Sequence, residues 1–470
     1  MKIRVPRRTC DYLSVVTIIS IACIILAGML VQNDVIALKS AILVQFVGFV
    51  VLFFALGRAN RSIITLYSVF LLVFYIFQNG QLLLFALNSD YNYLYIEKFS
   101  IAQLQQSVLF SSLCMFAAYY AAVFSMDRHD TWIEKEINAY SAPIIFKIAR
   151  VGLVLTSLVA FALLLVKFVV WLGAGYSGVM IFERTVPSIL GAVESLYPAF
   201  SILTIVSGLK SGYKTRFWFL LFLFWGLTTA VMGDRTTGIG VMAIVLLMHY
   251  FGYFGTSRIK HKITFWLGGI VVFWLISVIF SIRSHDQYTF GSAFSIVTDV
   301  VYELGFSFFP LSAIMKMCPD VHGYLYGASM LSSVVTGFFP SSLDVLGLFD
   351  KLADYASVPT HWIADRYRYG FGMDCSLNAE AYANFGMYGF VAMFVICSII
   401  ASALKRVDYN SDQNVFSQYI GFALLFAWFT LPRRRSYYIY NKIFWYVLVV
   451  GLFVFVMYSL MTKRKRNGKH

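Results

Sequence analysis

The chain has 470 residues, of which 60% are hydrophobic, 18% aromatic and only 13% charged, about half the charged share of an ordinary soluble domain. That balance excludes a water-soluble globular enzyme. The net charge of +14 does not point to nucleic acid either, because the Lys and Arg residues sit in short loops between apolar runs and line no single soluble face.

Apolar runs of about 20 residues, enough to cross a hydrocarbon core about 30 Å thick, recur along the whole chain. Irregular backbone cannot face lipid, so each run reads as a helix. The first, from Tyr12 to Val31, follows Lys2, Arg4, Arg7 and Arg8; it is too long for a signal-peptide core and reads as a retained span. The predicted spans are 12–31, 40–56, 63–87, 101–125, 148–171, 192–209, 216–232, 236–254, 263–282, 381–404, 416–431 and 443–461. The expected fold is therefore an all-α polytopic membrane protein with about 12 transmembrane helices. Nine spans occupy 1–282, one large extracytoplasmic loop covers 283–380, and 381–470 carries three more spans and a basic tail.

The distribution of basic residues sets the orientation, since short cytoplasmic loops collect Lys and Arg. With the N-terminus inside, most of the 37 basic residues fall on the cytoplasmic side, including Lys463 to Arg466 in the tail. Both termini are then cytoplasmic. The span interiors hold little charge beyond Lys167 and His249, whereas ion-coupled transporters place costly charged groups near the midplane. Nor is there a GxxxxGK[ST], an HExxH or an Asp-x-Asp pair, so neither a nucleotide nor a metal is called for. Cys318 and Cys375 both fall in the large loop, where a bridge and chance placement are both open readings.

Four stretches could carry chemistry. MGDRTTGIG, from Met232, puts Asp234 and Arg235 at the junction of the seventh and eighth spans; a hairpin in which the two charges satisfy each other is the plainer reading. In IVTDVVYELGFSFFPLSAI, from Ile296, Asp299 and Glu303 are four apart and share a helix face, where like charges repel. A helix start with a salt-bridged Glu303 explains that spacing as well as a general base does. HWIADRYRYGFGMDCSLNAEAYANFGMYGF, from His361, alternates Arg366 and Arg368 with tyrosines ahead of Glu380. Its arginines suit phosphate, and its tyrosines suit either sugar rings or a membrane interface. TLPRRRSYYIYNK, from Thr430, sets Arg433, Arg434 and Arg435 on the face that positive charge should avoid. Lipid phosphates or an anionic substrate would repay that insertion cost.

Taken together these stretches resemble the Wzy family of oligosaccharide repeat-unit polymerases of the O-antigen and capsule pathways. The likeness covers the whole layout. It rests on the Gly-x-Arg turn at Gly233 to Arg235, the Glu-Leu-Gly-x-Ser-Phe run at Glu303 to Phe308, Phe339 and Pro340, Ala-Glu-Ala-Tyr-x-Asn-Phe-Gly at Ala379 to Gly386, and an arginine among Arg433 to Arg435. The triple arginine departs from the family's single one and leaves open which residue takes that place.

The resemblance implies a fold similar to the GT-C membrane glycosyltransferases, in the bacterial cytoplasmic membrane. It also implies transfer of a glycan from undecaprenyl pyrophosphate to the next lipid-linked repeat unit, with no cofactor, and a flippase and chain-length regulator as partners. On that reading Arg235, Arg433, Arg434 and Arg435 bind the pyrophosphate, with Arg283, Arg366 and Arg368 as further donors. Glu303 leads Asp299, Glu380 and His361 as base. A lipid-linked oligosaccharide flippase and an O-antigen ligase are the rival functions.

Overall fold

The computed structural model describes residues 7–29, 34–60, 63–89, 96–126, 141–250, 267–271, 274, 293–339, 347, 349–367, 374–408 and 415–467. Among them there is no strand. Among the described residues nine helices are long and apolar enough to cross a membrane by length and composition, so the chain is a multi-pass membrane protein. Four shorter apolar helices accompany them.

In chain order the helices are α1 (Arg7–Met29), α2 (Val35–Ala59), α3 (Leu66–Ala86), α4 (Ile101–Met126), α5 (Ala142–Thr185), α6 (Ser188–Lys210), α7 (Arg216–Val231), α8 (Arg235–Tyr250), α9 (Ala293–Leu304), α10 (Phe308–Met317), α11 (Ala328–Phe338), α12 (Asp350–Tyr367), α13 (Leu377–Phe385), α14 (Gly389–Asp408), α15 (Val415–Trp428), α16 (Tyr437–Lys442) and α17 (Val450–Asn467). A stretch of π-helix, Ile443–Val449, joins the last two.

The largest difference from the sequence reading lies between α9 and α10. Val297–Met317 is long and apolar enough to cross a membrane, yet it falls inside the stretch assigned to the outer loop. Its mean hydropathy of 1.2 is the lowest of the nine, because Asp299, Glu303 and Lys316 dilute the apolar run. The predicted span 263–282 lies mostly outside the described residues.

The chain divides into two compact units. The first takes residues 1–129, 297–409 and 428–441. Its core packs α4 against α14 and α1 to α3 around them, with polar contacts between helices. Gln45 Nε2 donates to Ser112 Oγ at 3.0 Å, Ser111 Oγ donates to Asn79 Oδ1 at 2.9 Å, and Ser107 and Ser312 share a hydrogen bond at 2.8 Å. Such pairs join helices where apolar surface gains nothing by leaving lipid. The second unit takes 130–296, 410–427 and 442–470, with α5 packed on α6 and α7 on α8. Leu158, Leu165, Val169 and Leu172 of α5 are exposed, as lipid-facing residues are.

In the first unit α3 meets the α9–α10 junction backbone to backbone. A Cβ at Gly305 would lie 2.4 Å from the Gln81 nitrogen and 2.6 Å from the Gly80 Cα. We expect Gly305→Ala to cost about 1–3 kcal/mol of stability, read as a lower thermal midpoint in detergent. Gly191→Ala, where nothing lies within 4 Å, should leave the midpoint unchanged.

Candidate functional site

The arginine loop is built by its local sequence. Pro432 sits in a short 3-10 turn, Leu431–Arg433, closed by Arg434 N donating to Leu431 O at 2.9 Å. Arg434 is then extended, with φ −122° and ψ 166°, and Ser436 leads into α16.

Two carboxylates from elsewhere in the first unit hold this loop. Glu380, in the first turn of α13, is fully buried. It accepts four hydrogen bonds: from Ser436 N at 2.6 Å, Ser436 Oγ at 3.0 Å, Ser333 Oγ at 3.4 Å and Ser329 Oγ at 3.5 Å. The two α11 serines are four apart and so share a face. Asn384, one turn along α13, donates to Ser329 Oγ at 2.7 Å and tightens the cluster. The carboxylate is thus kept from water by donors that answer most of its lone pairs.

Asp374 is the second holder. It accepts from Arg435 Nε at 3.1 Å, Arg434 Nη1 at 3.5 Å, Thr360 Oγ1 at 3.0 Å and Cys375 N at 2.9 Å. Arg435 Nη1 also donates to Ala356 O at 2.6 Å. The Arg434 guanidinium lies 5.0 Å over the Tyr438 ring and donates to its hydroxyl at 3.3 Å. Arg433 is exposed, 5.9 Å over Phe77. Of the three guanidinium groups, that of Arg433 is left exposed, where it can meet an anion.

Neighbouring thiols are not nucleophiles. Burial above all, then the Glu380 and Asp374 carboxylates, push the Cys375 thiol up, and burial pushes Cys318 up to about 11. Both therefore stay protonated near neutral pH, and both are free.

The same end of α3 carries a second set of polar contacts. Gln78 Nε2 donates to Pro432 O, and Gln81 Nε2 donates to Tyr302 O at 2.8 Å. The two glutamines are three residues apart, about 4.5 Å of helical rise. One turn of α3 therefore supports both the arginine loop and the backbone next to Glu303. Asp299 and Glu303 lie half-buried on α9, each engaged with neighbours.

The structure places the other candidates from the sequence as follows, each within its own unit. His361 and Arg366 are exposed on α12, and among the described residues neither side chain is tied to the loop by a hydrogen bond or ion pair. Arg235 begins α8 in the second unit. There Asp234 acts as a helix cap, its Oδ1 accepting from Thr237 N at 3.2 Å, after Gly233 turns the chain at φ 108°. Arg283 and Arg368 lie outside the described residues. Lys167 is paired with Glu194 at 2.9 Å and Glu183 at 3.0 Å, also in the second unit. Among the described residues no three His, Cys, Asp or Glu side chains gather to hold a metal ion.

Sequence reasoning missed Asp374, Ser329, Ser333 and Ser436, which have no local signature. It also passed over Gln78, Asn79 and Gln81, although three amides in one apolar span were a readable signal.

A family model described as O-antigen polysaccharide polymerase Wzy matches residues 12–465. No curated protein and no solved structure matches the chain.

Proposed function

The chain belongs to the O-antigen polysaccharide polymerase Wzy family, and on that premise we propose that it joins undecaprenyl-pyrophosphate-linked repeat units at the outer face of the bacterial cytoplasmic membrane. One observation carries the proposal: Arg434 and Arg435 are anchored by Asp374 beside a loop that Glu380 ties down through Ser436. Guanidinium groups held in place before the reaction need no rearrangement as charge develops on a leaving diphosphate.

In the proposed step the bond between the donor sugar C1 and the diphosphate oxygen breaks, and its electron pair leaves with the lipid diphosphate. A bond forms between C1 and an acceptor hydroxyl oxygen. The hydroxyl proton passes to a carboxylate, for which Glu303 is the candidate, with Asp299 on the same helix face in support. Arg434 and Arg435 stabilise the diphosphate and Arg433 draws it in. Glu380 and Asp374 act as positioning residues. Arg235, Arg283, Arg366 and Arg368 are proposed as further donors to the anionic lipid. His361 is proposed only as a reserve base.

Purified protein in lipid nanodiscs, supplied with lipid-linked repeat units, should lengthen chains and release one undecaprenyl pyrophosphate per linkage. Glu303→Gln should slow chain growth by about 10²-fold or more, and unchanged growth would remove it as base. Passage of repeat units across a vesicle membrane without chain growth would favour the flippase reading.

A further inference from the structure

Beside Arg435 the first unit contains a cavity of about 160 Å³ between α11 and α12. We propose that it binds the sugar residue joined directly to the diphosphate of the lipid-linked donor, an inference that rests on reading Arg434 as a diphosphate ligand.

Size is the first argument. Pockets for drug-sized ligands run to roughly 300–1,000 Å³, so this smaller cavity has room for one ring. The walls are the second. On one side Phe339 and Phe349 stack with ring centroids 5.4 Å apart, and Phe339 is 55% exposed although it lies beyond the end of its apolar helix. Such rings match the C–H face of a pyranose.

The polar lining complements hydroxyl groups. Thr336 Oγ1 donates to Ser332 O at 2.7 Å and Ser357 Oγ to Ala353 O at 2.9 Å, which turns both hydroxyl oxygens into acceptors. Asp350 adds a carboxylate and Arg435 a donor. An acyl chain would leave the Asp350 carboxylate, the Arg435 donor and both hydroxyls unmatched, whereas a polyol can hydrogen-bond to them.

Continuity is the third. Arg434 and Arg435 are adjacent, with Cα atoms about 3.8 Å apart, and both engage Asp374. A diphosphate at Arg434 therefore places its esterified sugar at Arg435, which lines the cavity.

Two probes separate the sugar from the lipid diphosphate: undecaprenyl pyrophosphate, and undecaprenyl-pyrophosphate-linked repeat unit isolated from the source cells. Binding of each is measured to purified protein in nanodiscs. Asp350→Asn, which removes the charge and keeps the size of the side chain, should weaken repeat-unit binding about tenfold and leave undecaprenyl pyrophosphate within about twofold. Ala353→Phe, which fills the cavity from α12, should do the same. Equal losses for both probes, or none for either, would overturn the proposal. Arg434→Ala should weaken both probes. If it weakens neither while the cavity variants discriminate, the diphosphate reading fails and the sugar cavity stands; the reverse pattern removes the cavity alone.

Discussion

Glu380→Gln should leave a folded protein whose polymerisation stays within about tenfold of the parent, whereas Glu380→Ala should lose both stability and activity. The side chain is fully buried and accepts from the Ser436 nitrogen and from three serine hydroxyls. Glutamine can keep its oxygen on the backbone nitrogen, and hydroxyls can rotate to accept from its NH₂. Alanine leaves that nitrogen buried without a partner, which costs about 1–3 kcal/mol, opens a cavity and frees the arginine loop. If Glu380 were instead the general base, glutamine would be as inactive as alanine, with losses of about 10²–10⁴. Thermal unfolding in detergent together with chain-growth rates distinguishes the two roles.

The second large effect is expected at Arg434. Arg434→Ala should lower the rate of transfer at saturating repeat unit by about 10²–10³, the usual cost of removing one donor aimed at developing charge. Arg434→Lys should recover little, because an ammonium cannot keep both Asp374 and a phosphate oxygen in the planar fork geometry. Asp374→Asn should fall between, since both arginines remain but lose the anion that orients them. The check is a kcat against KM comparison for the three variants. A rise in KM with kcat unchanged would mean that Arg434 serves only to bind the ground state.

Much of this was legible in the sequence, and the limits have physical causes. Composition and the run of apolar segments were enough for the helical membrane class, because the bilayer demands long uncharged helices. The triple arginine stood out because it opposes the charge rule. What could not be read was who holds it. Glu380 and Ser436 are 56 residues apart, and serines such as Ser329 and Ser333 look like any other helical serine until the fold brings them to a carboxylate. Asp374 was hidden in the same way, in a stretch where Arg366 and Arg368 drew attention instead. The α9–α10 stretch was read as a helix with Asp299 and Glu303 on one face within the outer loop, and by length and composition it is also apolar enough to cross a membrane. Gln78 and Gln81 could have been found, since buried amides in a spanning helix need partners.

The proposal that guanidinium groups wait on the outer surface for a lipid diphosphate is tested most directly by labelling an introduced cysteine at the exposed Arg433 position. Cys114, Cys318, Cys375 and Cys397 are buried, and the parent chain without the added cysteine sets the background. Arg433→Cys in intact spheroplasts should react with a membrane-impermeant maleimide, and added undecaprenyl pyrophosphate should protect it. Reaction only after the cells are permeabilised would put the loop on the cytosolic side and contradict the account.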